Sequence, residues 1–294
     1  MVAQSLSAPF RVSCGDTFRL SAVDPASTGD LAPGKKEAKV ALEDGVRQLS
    51  ELQQTLYAQG QWGVILLFQA MDAAGKDGTI KHVMSGVNPQ GCQVTSFKAP
   101  SSLELSHDYL WRVNRCLPER GRIGIFNRSY YEETLVVRVH QDQLARQALP
   151  AGLVTPGIWQ QRFQEIRHYE AYLGANGFLV RKFFLHLSKA EQKRRFQERL
   201  TNPQKHWKFS AADLAERAFW DDYMQAYEEM IRATATEQAP WYVIPADHKW
   251  FTRLVVASAV IESLQSLDLH TPTMTEPEQR ALEEARRRLE AEPD

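Results

Sequence analysis

Residues 70–78 read AMDAAGKDG and follow an apolar run, a setting in which a strand turns directly into a helix. In a G-x-x-x-x-G-K-[ST] loop at such a turn, the Walker A pattern, backbone N–H groups and a lysine ammonium surround phosphate oxygens. Gly75 and Lys76 match the pattern, whereas Ala70 replaces its first glycine and Asp77 replaces its hydroxyl residue. The spacing predicts a phosphate loop over residues 70–78 whose ligands are Ala73, Ala74, Gly75, Lys76, Asp77 and Gly78.

Two acids lie inside this phosphate loop, although phosphate is itself an anion. In water, a carboxylate about 4 Å from a phosphate oxygen is repelled by about 1 kcal/mol per charge pair, and by several-fold more when desolvated. We therefore expect Asp72 to meet phosphate through a bound Mg²⁺. The alternatives are that Asp72 caps the helix or bonds to its own loop, and that Asp77 is a first-turn acid stabilised by the helix dipole.

Polar residues also follow a second apolar run, at 123–126. In P-loop proteins an acid often ends this second core strand and binds Mg²⁺. Asn127 holds that place here, and its carbonyl oxygen can coordinate a metal ion without offsetting the charge of the ion. Glu132 supplies a carboxylate one short turn later. Arg128 can form a planar fork on a phosphate or an ion pair with a glutamate, and the two roles are compatible.

A third group of residues is cationic. Residues 189–208, the basic segment, contain seven Lys and Arg but only two Glu. Arg195 and Arg199 are four residues apart and so share a helix face, where two guanidinium groups can grip consecutive phosphoryl units. A charge run is usually a solvated face, but a phosphate loop opposite this one favours a closing clamp.

These residues must be positioned by a core of strands and helices. Helical spacing of apolar residues from Leu42 to Leu56 predicts a first helix that ends near Gly60. Apolar runs then alternate with helical segments, which indicates an α/β protein with a five-stranded parallel sheet covered by helices on both faces. The predicted strands are residues 64–69, 93–97, 123–126, 179–186 and 241–244.

The chain is expected to form a single domain over residues 1–294. Residues 1–34 are rich in Ser, Ala, Pro and Gly and indicate an irregular N-terminal arm. Residues 188–236 are mostly helical and lie between the fourth and fifth strands, a natural place for a mobile lid. Residues 271–294 form a charged tail with a thin apolar stripe, for which a solvated helix is favoured over docking on a partner subunit.

The composition of the chain limits the classes of protein to which it can belong. Among 294 residues, 43% are hydrophobic and 24% charged, which is typical of a globular protein. The net charge of −1 gives no global attraction for polyanions, so a site for one must come from local clustering. An odd set of cysteines, Cys14, Cys92 and Cys116, argues against a disulfide framework and favours the cytoplasm. We expect no membrane segment and no nucleic-acid partner.

Three separated motifs together resemble the polyphosphate kinase 2 family: MDAAGKDG, IGIFNRSYYEE, and SKAEQKRRFQERL followed by HWKFSAADLAERAFWDDYMQAYEEM. The resemblance covers about residues 42–267. It implies a P-loop kinase fold similar to that of thymidylate kinases, with a helical lid. It also implies a polyphosphate:nucleotide phosphotransferase (EC 2.7.4.-), which transfers phosphoryl groups reversibly with Mg²⁺, or Mn²⁺ as a substitute, and forms a homo-oligomer.

The resemblance also assigns roles to residues. Asp72 and Lys76 match the acid and lysine of the family's phosphate loop, and Arg128 matches the arginine after its second strand. Glu132 falls where the choice of acceptor is set. With Asp72 and Arg128 it is expected to bind the nucleotide, while Asp72 holds the metal with Asn127 or Glu132. The family's basic lid residues correspond to Arg194, Arg195, Arg199 and Lys208, which are expected to bind phosphate.

Two departures bear on the acceptor. Many relatives carry Asp where this chain has Asn127, and Asn where it has Glu132. The combination resembles the class III subgroup, which phosphorylates both nucleoside monophosphates and diphosphates. The implied path is AMP to ADP to ATP, with GMP and GDP as further acceptors.

Two other functions use the same phosphate loop. An ATP-dependent nucleotide or nucleoside kinase is the first, and the missing Ser or Thr after Lys76 and the basic segment weigh against it. A non-catalytic nucleotide-binding module is the second, and the neutral Asn127 favours it while Lys76 and Glu132 do not.

Overall fold

The computed structural model describes residues 5–29, 31 and 35–292. Its strands are β1 (Arg11–Val12), β2 (Gly63–Gln69), β3 (Cys92–Ser96), β4 (Ile123–Asn127), β5 (Phe178–His186) and β6 (Trp241–Pro245). Its α-helices are α1 (Lys35–Gln59), α2 (Lys76–Val83), α3 (Ser102–Leu105), α4 (Trp111–Asn114), α5 (Val136–Val139), α6 (Asp142–Ala145), α7 (Ile158–Ala175), α8 (Lys189–Thr201), α9 (Ala211–Glu216), α10 (Trp220–Thr234), α11 (Lys249–Gln265) and α12 (Glu276–Glu290).

The strands form one sheet in the order β1-β6-β5-β2-β4-β3. Strand β2 lies at the centre and pairs in parallel with β4 and β5, and β3 and β6 extend the parallel arrangement on either side. The five predicted strands are confirmed. The predicted strand count is wrong by one, because β1 adds an antiparallel edge against β6. Two residues are too short to give a strand pattern in the sequence.

The sheet separates two apolar layers. Every residue of β2 is buried. Its alternate residues Leu66 and Phe68 pack in the layer that contains α1, α2 and α11, whereas Ile65 and Leu67 pack in the layer that contains α7 and α10. Burial on both faces explains why this strand is a continuous apolar run. It also fixes the end of β2, from which the phosphate loop starts.

The N-terminal arm is more regular than expected. Besides β1, it contains Leu20, which is buried in the second apolar layer, and Ser7, whose hydroxyl donates to Glu262 at 2.6 Å. The backbone N–H of Leu20 donates to Glu228 at 2.8 Å. Side chains from distant helices therefore anchor the arm, and a local sequence pattern does not reveal such contacts.

The C-terminal part of the proposed lid belongs to the core. Tyr227, Met230 and Ile231 on α10 are buried in the second apolar layer. By contrast, α12 has no buried residue and exposes Leu282 and Leu289. Among the helices of the described chain, none is long and apolar enough to cross a membrane.

Candidate active site

A cleft lies where β2 and β4 end, and the phosphate loop forms one side of it. Its cationic lining consists of Lys76, Lys81, Lys98, Arg128, Arg195, Arg199, Lys205, Lys208, Lys249 and Arg253. Its acidic lining consists of Asp72, Asp77, Glu198 and Asp213. Ten Lys and Arg thus face four Asp and Glu, so this cleft can attract a polyanion although the whole chain carries a net charge of −1.

The phosphate loop has two residues in the left-handed backbone region. Ala73 has φ of 64° and Gly75 has φ of 101°. A left-handed conformation costs an alanine about 1–2 kcal/mol, so other contacts must hold it. The Gln192 amide donates to the Asp72 carbonyl at 2.9 Å, and the Arg195 guanidinium donates to the Ala73 and Ala74 carbonyls at 3.0 and 2.8 Å. Helix α8 therefore braces the loop.

Lys76 begins α2 and is buried at the base of the cleft, with 9% of its surface exposed. Its Nζ donates to the Ala70 carbonyl at 3.0 Å. Burial lowers the pKa of this ammonium, as does the charge of Arg128, whereas Asp72 and Glu132 oppose the shift. An anion entering the cleft would supply the counter-charge that the buried lysine lacks.

Arg128 links the two sequence motifs. Its guanidinium donates to Asp72 at 2.9 Å and to Glu132 at 3.1 Å, and its backbone is left-handed with φ of 64°. The charge of Glu132 is the main cause of a raised Arg128 pKa. Gly75 is the N-cap residue of α2 and no side chain caps that helix, so the alternative that Asp72 caps it is wrong. The ion pair expected for Arg128 is present.

Two of the departures from the P-loop pattern, Asp77 and Asn127, contact each other. The Asn127 amide nitrogen donates to the Asp77 carboxylate at 2.6 Å. Two acids at this distance would repel, so a neutral residue at 127 accommodates Asp77 in place of the usual Ser or Thr. A first-turn acid stabilised only by the helix dipole would not need this hydrogen bond, so the dipole alone does not account for Asp77.

The donor set at the cleft suits Mg²⁺. Asp72 and Asp77 both line it, and in the described chain no three His, Cys, Asp or Glu come together as a metal cage. Mg²⁺ is typically held by one or two carboxylates together with substrate phosphates and water, so these residues fit that ion.

Arg195 differs from the expected clamp residue. Its side chain is 4% exposed, and all five of its N–H donors have partners in the protein. Besides the two loop carbonyls, it donates to Glu191 at 2.7 Å and to the carbonyls of Ala246 and Asp247 at 2.6 and 3.0 Å. Arg195 thus joins α8, the phosphate loop and the end of β6. Sequence spacing could not reveal this, because four of its contacts are to backbone atoms remote in the chain.

The other predicted basic residues divide in two. Arg199 and Lys208 line the cleft, and Arg199 donates to the Lys208 carbonyl at 3.0 Å and to Asp213 at 3.3 Å. Arg194 does not line it. Its side chain is 60% exposed and pairs with Glu191 at 2.6 Å. Consecutive helical residues point about 100° apart, so Arg194 and Arg195 cannot share one face.

Several cleft residues were not predicted. Lys249 and Arg253 lie one turn apart on α11, and burial lowers the pKa of each. Within the described chain neither makes an ion pair. The i, i+4 spacing of two cations just after β6, the fifth predicted strand, is the signal that could have found them. Lys81, Lys98 and Trp207 also line the cleft and gave no such signal.

A buried polar network supports the segment between Arg128 and Glu132. The hydroxyls of Tyr130 and Tyr131 donate to Glu170 at 2.8 and 2.7 Å. Lys182 Nζ donates to the other oxygen of Glu170 at 2.6 Å, and both charged side chains are almost fully buried. These bonds tie the segment to α7 and β5, which fixes the backbone that carries the site.

The sheet order and the phosphate loop together define a P-loop kinase fold. The family described as Polyphosphate kinase 2 matches residues 33–272, and the chain belongs to that family. The resemblance drawn from the three motifs is therefore confirmed. Members of the family are kinases that generally need a divalent metal ion.

Similar proteins cover nearly the whole chain. It is 51% identical over 281 residues to "ADP-polyphosphate phosphotransferase" of Rhodopseudomonas palustris, covering 95% of this chain and 97% of that protein. It is 47% identical over 263 residues to "AMP/ADP-polyphosphate phosphotransferase" of Meiothermus ruber, covering 90% and 94%. The crystal structure of Polyphosphate Kinase 2 from Arthrobacter aurescens TC1 has a TM-score of 0.86 at 40% identity, covering 96% of this chain and 98% of that one.

Proposed function

We propose that this chain transfers phosphoryl groups reversibly between inorganic polyphosphate and adenine nucleotides, converting AMP to ADP and ADP to ATP. GMP and GDP are further acceptors in this proposal. The cationic lining of the cleft at the phosphate loop is the observation that carries it, because a polyanionic donor needs many neutralising groups. The family and the names of the two relatives support the same activity.

The acceptor's terminal phosphate lies near Asp72, Arg128 and Glu132 in this proposal. The end of the polyphosphate lies along the phosphate loop and Lys76. The rest of the polyphosphate follows further cations that line the cleft: Arg199, Lys208, Lys249 and Arg253. The roles of these residues differ from that of Arg195, whose donors are already engaged.

The reaction needs little covalent help from the protein. A non-bridging oxygen of the acceptor phosphate attacks the terminal phosphorus of polyphosphate, and the bond from that phosphorus to its bridging oxygen breaks. The polyphosphate leaves one unit shorter with that oxygen. Because the attacking oxygen is already anionic, no strong general base is required. Lys76 and Arg128 hold and neutralise the phosphate oxygens, which is the main source of catalysis in phosphoryl transfer.

Asp72 is the proposed ligand for Mg²⁺, with Mn²⁺ as a substitute, and Asp77, Asn127 or Glu132 would complete the protein's share. The ion would neutralise phosphate charge. Asp72 is therefore a metal ligand and orienting group rather than a base. The motion proposed for the lid falls on α9, because α10 packs in the core and Arg195 holds α8 against the phosphate loop.

The cellular compartment and the oligomeric state are also part of the proposal. Cys14, Cys92 and Cys116 are all free, which fits the reducing cytoplasm. A homo-oligomer is also proposed, because the resemblance to the family implies one.

One assay tests the activity against both alternatives. AMP or ADP is incubated with long-chain polyphosphate and Mg²⁺ without any nucleoside triphosphate, and the nucleotides are separated by chromatography. We expect ATP to form from either acceptor. An ATP-dependent kinase would form no ATP from AMP, and any ATP that it formed from two ADP would form equally without polyphosphate. A binding module would retain the nucleotides without converting them.

A further inference from the structure

Trp207 stands apart from the other large apolar side chains. It is 78% exposed, more than any other large hydrophobic residue in the described chain, and it lines the cleft. On α10, by contrast, Trp220, Tyr223 and Tyr227 are buried in the core. An indole left open to water at a substrate cleft has a face available for a ligand.

A fixed turn presents this indole. Residues Pro203–Lys208 form a short 3-10 helix that Asn202 caps by accepting the Gln204 N–H at 3.0 Å. The His206 ring bonds to the Leu200 carbonyl at 3.0 Å, and Arg199 bonds to the Lys208 carbonyl at the same distance. These contacts tie the turn to α8, so Trp207 has a defined position at the cleft.

The chemistry of the side chain separates the two substrates. Polyphosphate is all oxygen and phosphorus at its surface and offers no apolar face. A nucleotide carries a planar base, which gains free energy by stacking on an aromatic ring. The ammonium of Lys208 lies over one face of the Trp207 ring, 4.9 Å from its centre, and a base would stack on the other face.

Contacts lead from Trp207 to the proposed acceptor position. Arg199 contacts both the Lys208 carbonyl and Asp213. Burial raises the pKa of Asp213, and the nearby charge of Asp72 raises it further while that of Arg128 lowers it. Asp213, Asp72 and Arg128 line the same cleft as Trp207, so the indole and the proposed position of the acceptor phosphate share one cleft.

We propose that Trp207 is the platform on which the base of the acceptor nucleotide stacks. This inference rests on the proposed function, because it takes the acceptor to be a nucleoside phosphate. Stacking depends on the face of a base and not on its hydrogen-bonding edges, so adenine and guanine are both accepted. Purines are favoured over pyrimidines because they cover more of the ring.

The test compares W207A and W207F with Y172A, which removes a ring that is 62% exposed on α7 and does not line the cleft. KM is measured for ADP at saturating polyphosphate, and for polyphosphate at saturating ADP. Loss of one stacked base predicts that W207A raises KM for ADP about 5- to 150-fold. W207F retains most of the affinity, Y172A matches the wild type, and KM for polyphosphate rises much less than KM for ADP, because the loss of the ring leaves Lys208 and its charge in place.

A base-dependent readout excludes a merely structural effect. The wild type is expected to prefer ADP to CDP in kcat/KM, and W207A to lose that preference. An unchanged KM for ADP in W207A, or an equal rise in KM for polyphosphate, would overturn the inference. If the wild type made no ATP from polyphosphate, the proposed function would fail separately. Calorimetric titration of ADP into wild type, W207F and W207A would then still decide the stacking role.

Discussion

Asp72, Arg128 and Glu132 form a chain of ion pairs at the mouth of the phosphate loop, with Arg128 between the two acids. Asp72 and Arg128 line the cleft and are partly exposed, whereas Glu132 does not line it and contacts the cleft through Arg128. The arginine offsets the repulsion between the two carboxylates. In the proposed function, the acceptor phosphate competes for Arg128 and releases Asp72 for the metal.

Asp72→Asn tests that arrangement. The amide keeps the size of the side chain but removes the charge that a divalent cation requires, and we expect kcat to fall about 100-fold or more. Circular dichroism should show that the variant remains folded. Near-native turnover at saturating Mg²⁺ would remove Asp72 from the role of metal ligand.

At the scale of elements, α8 both braces the phosphate loop and supplies cations to the cleft. Glu191 accepts hydrogen bonds from both Arg194 and Arg195. Its hydrogen bond to Arg194, followed by that to Arg195, holds the pKa of its carboxyl at about 2. Sequence position alone treats these arginines as equivalent, whereas the packing of α8 assigns each a different environment.

Three substitutions separate these environments. Arg195→Ala is expected to lower the free energy of unfolding by about 3–5 kcal/mol, because it leaves four backbone carbonyls without their donor. Arg199→Ala should raise KM for polyphosphate with a smaller loss of stability. Arg194→Ala is the matched control and should leave both quantities near those of the wild type. Urea unfolding and steady-state kinetics measure them, and equal effects for Arg194 and Arg195 would contradict this division.

His186 at the end of β5 is expected to make the free energy of unfolding depend on pH. Burial lowers the pKa of this ring from 6.5 to about 4, and Asp247 only partly opposes the shift. Between these values the unfolded chain binds a proton that the folded chain does not. Stability is therefore lost as the pH falls from 6.5 towards 4, by up to about 3 kcal/mol.

His186→Gln removes this titrating group. The free energy of unfolding, measured with urea at pH 7 and pH 5, should decline less in this variant than in the wild type. His168→Gln replaces an exposed histidine on α7 and serves as the control. The same decline in wild type and His186→Gln would show that another group causes it.

At the scale of the whole molecule, the sequence predicts the parts that local patterns encode. The five core strands are predictable because burial on both faces demands continuous apolar runs, as in β2. The phosphate loop is predictable because its chemistry lies within a few consecutive residues. Strand β1 is not, since its two residues become a strand only by pairing with β6.

The cleft is less predictable than its loop. Lys249, Arg253 and Trp207 reach it from elements far apart in the chain, and only the fold brings them together. Arg195 is the opposite case. Its charge suggests a ligand site, but its N–H donors are bonded to backbone carbonyls of the protein. A net charge of −1 likewise conceals a cleft with ten cations and four acids.

Direct transfer within one cleft is the central claim, and labelled polyphosphate tests it most directly. Wild-type protein is incubated with ³²P-labelled polyphosphate, unlabelled ADP and Mg²⁺, and the products are separated. We expect the label in the terminal phosphate of ATP without a preceding rise in labelled inorganic phosphate, and almost none with Asp72→Asn. Label that appears only in inorganic phosphate, or ATP that forms without label, would contradict the account.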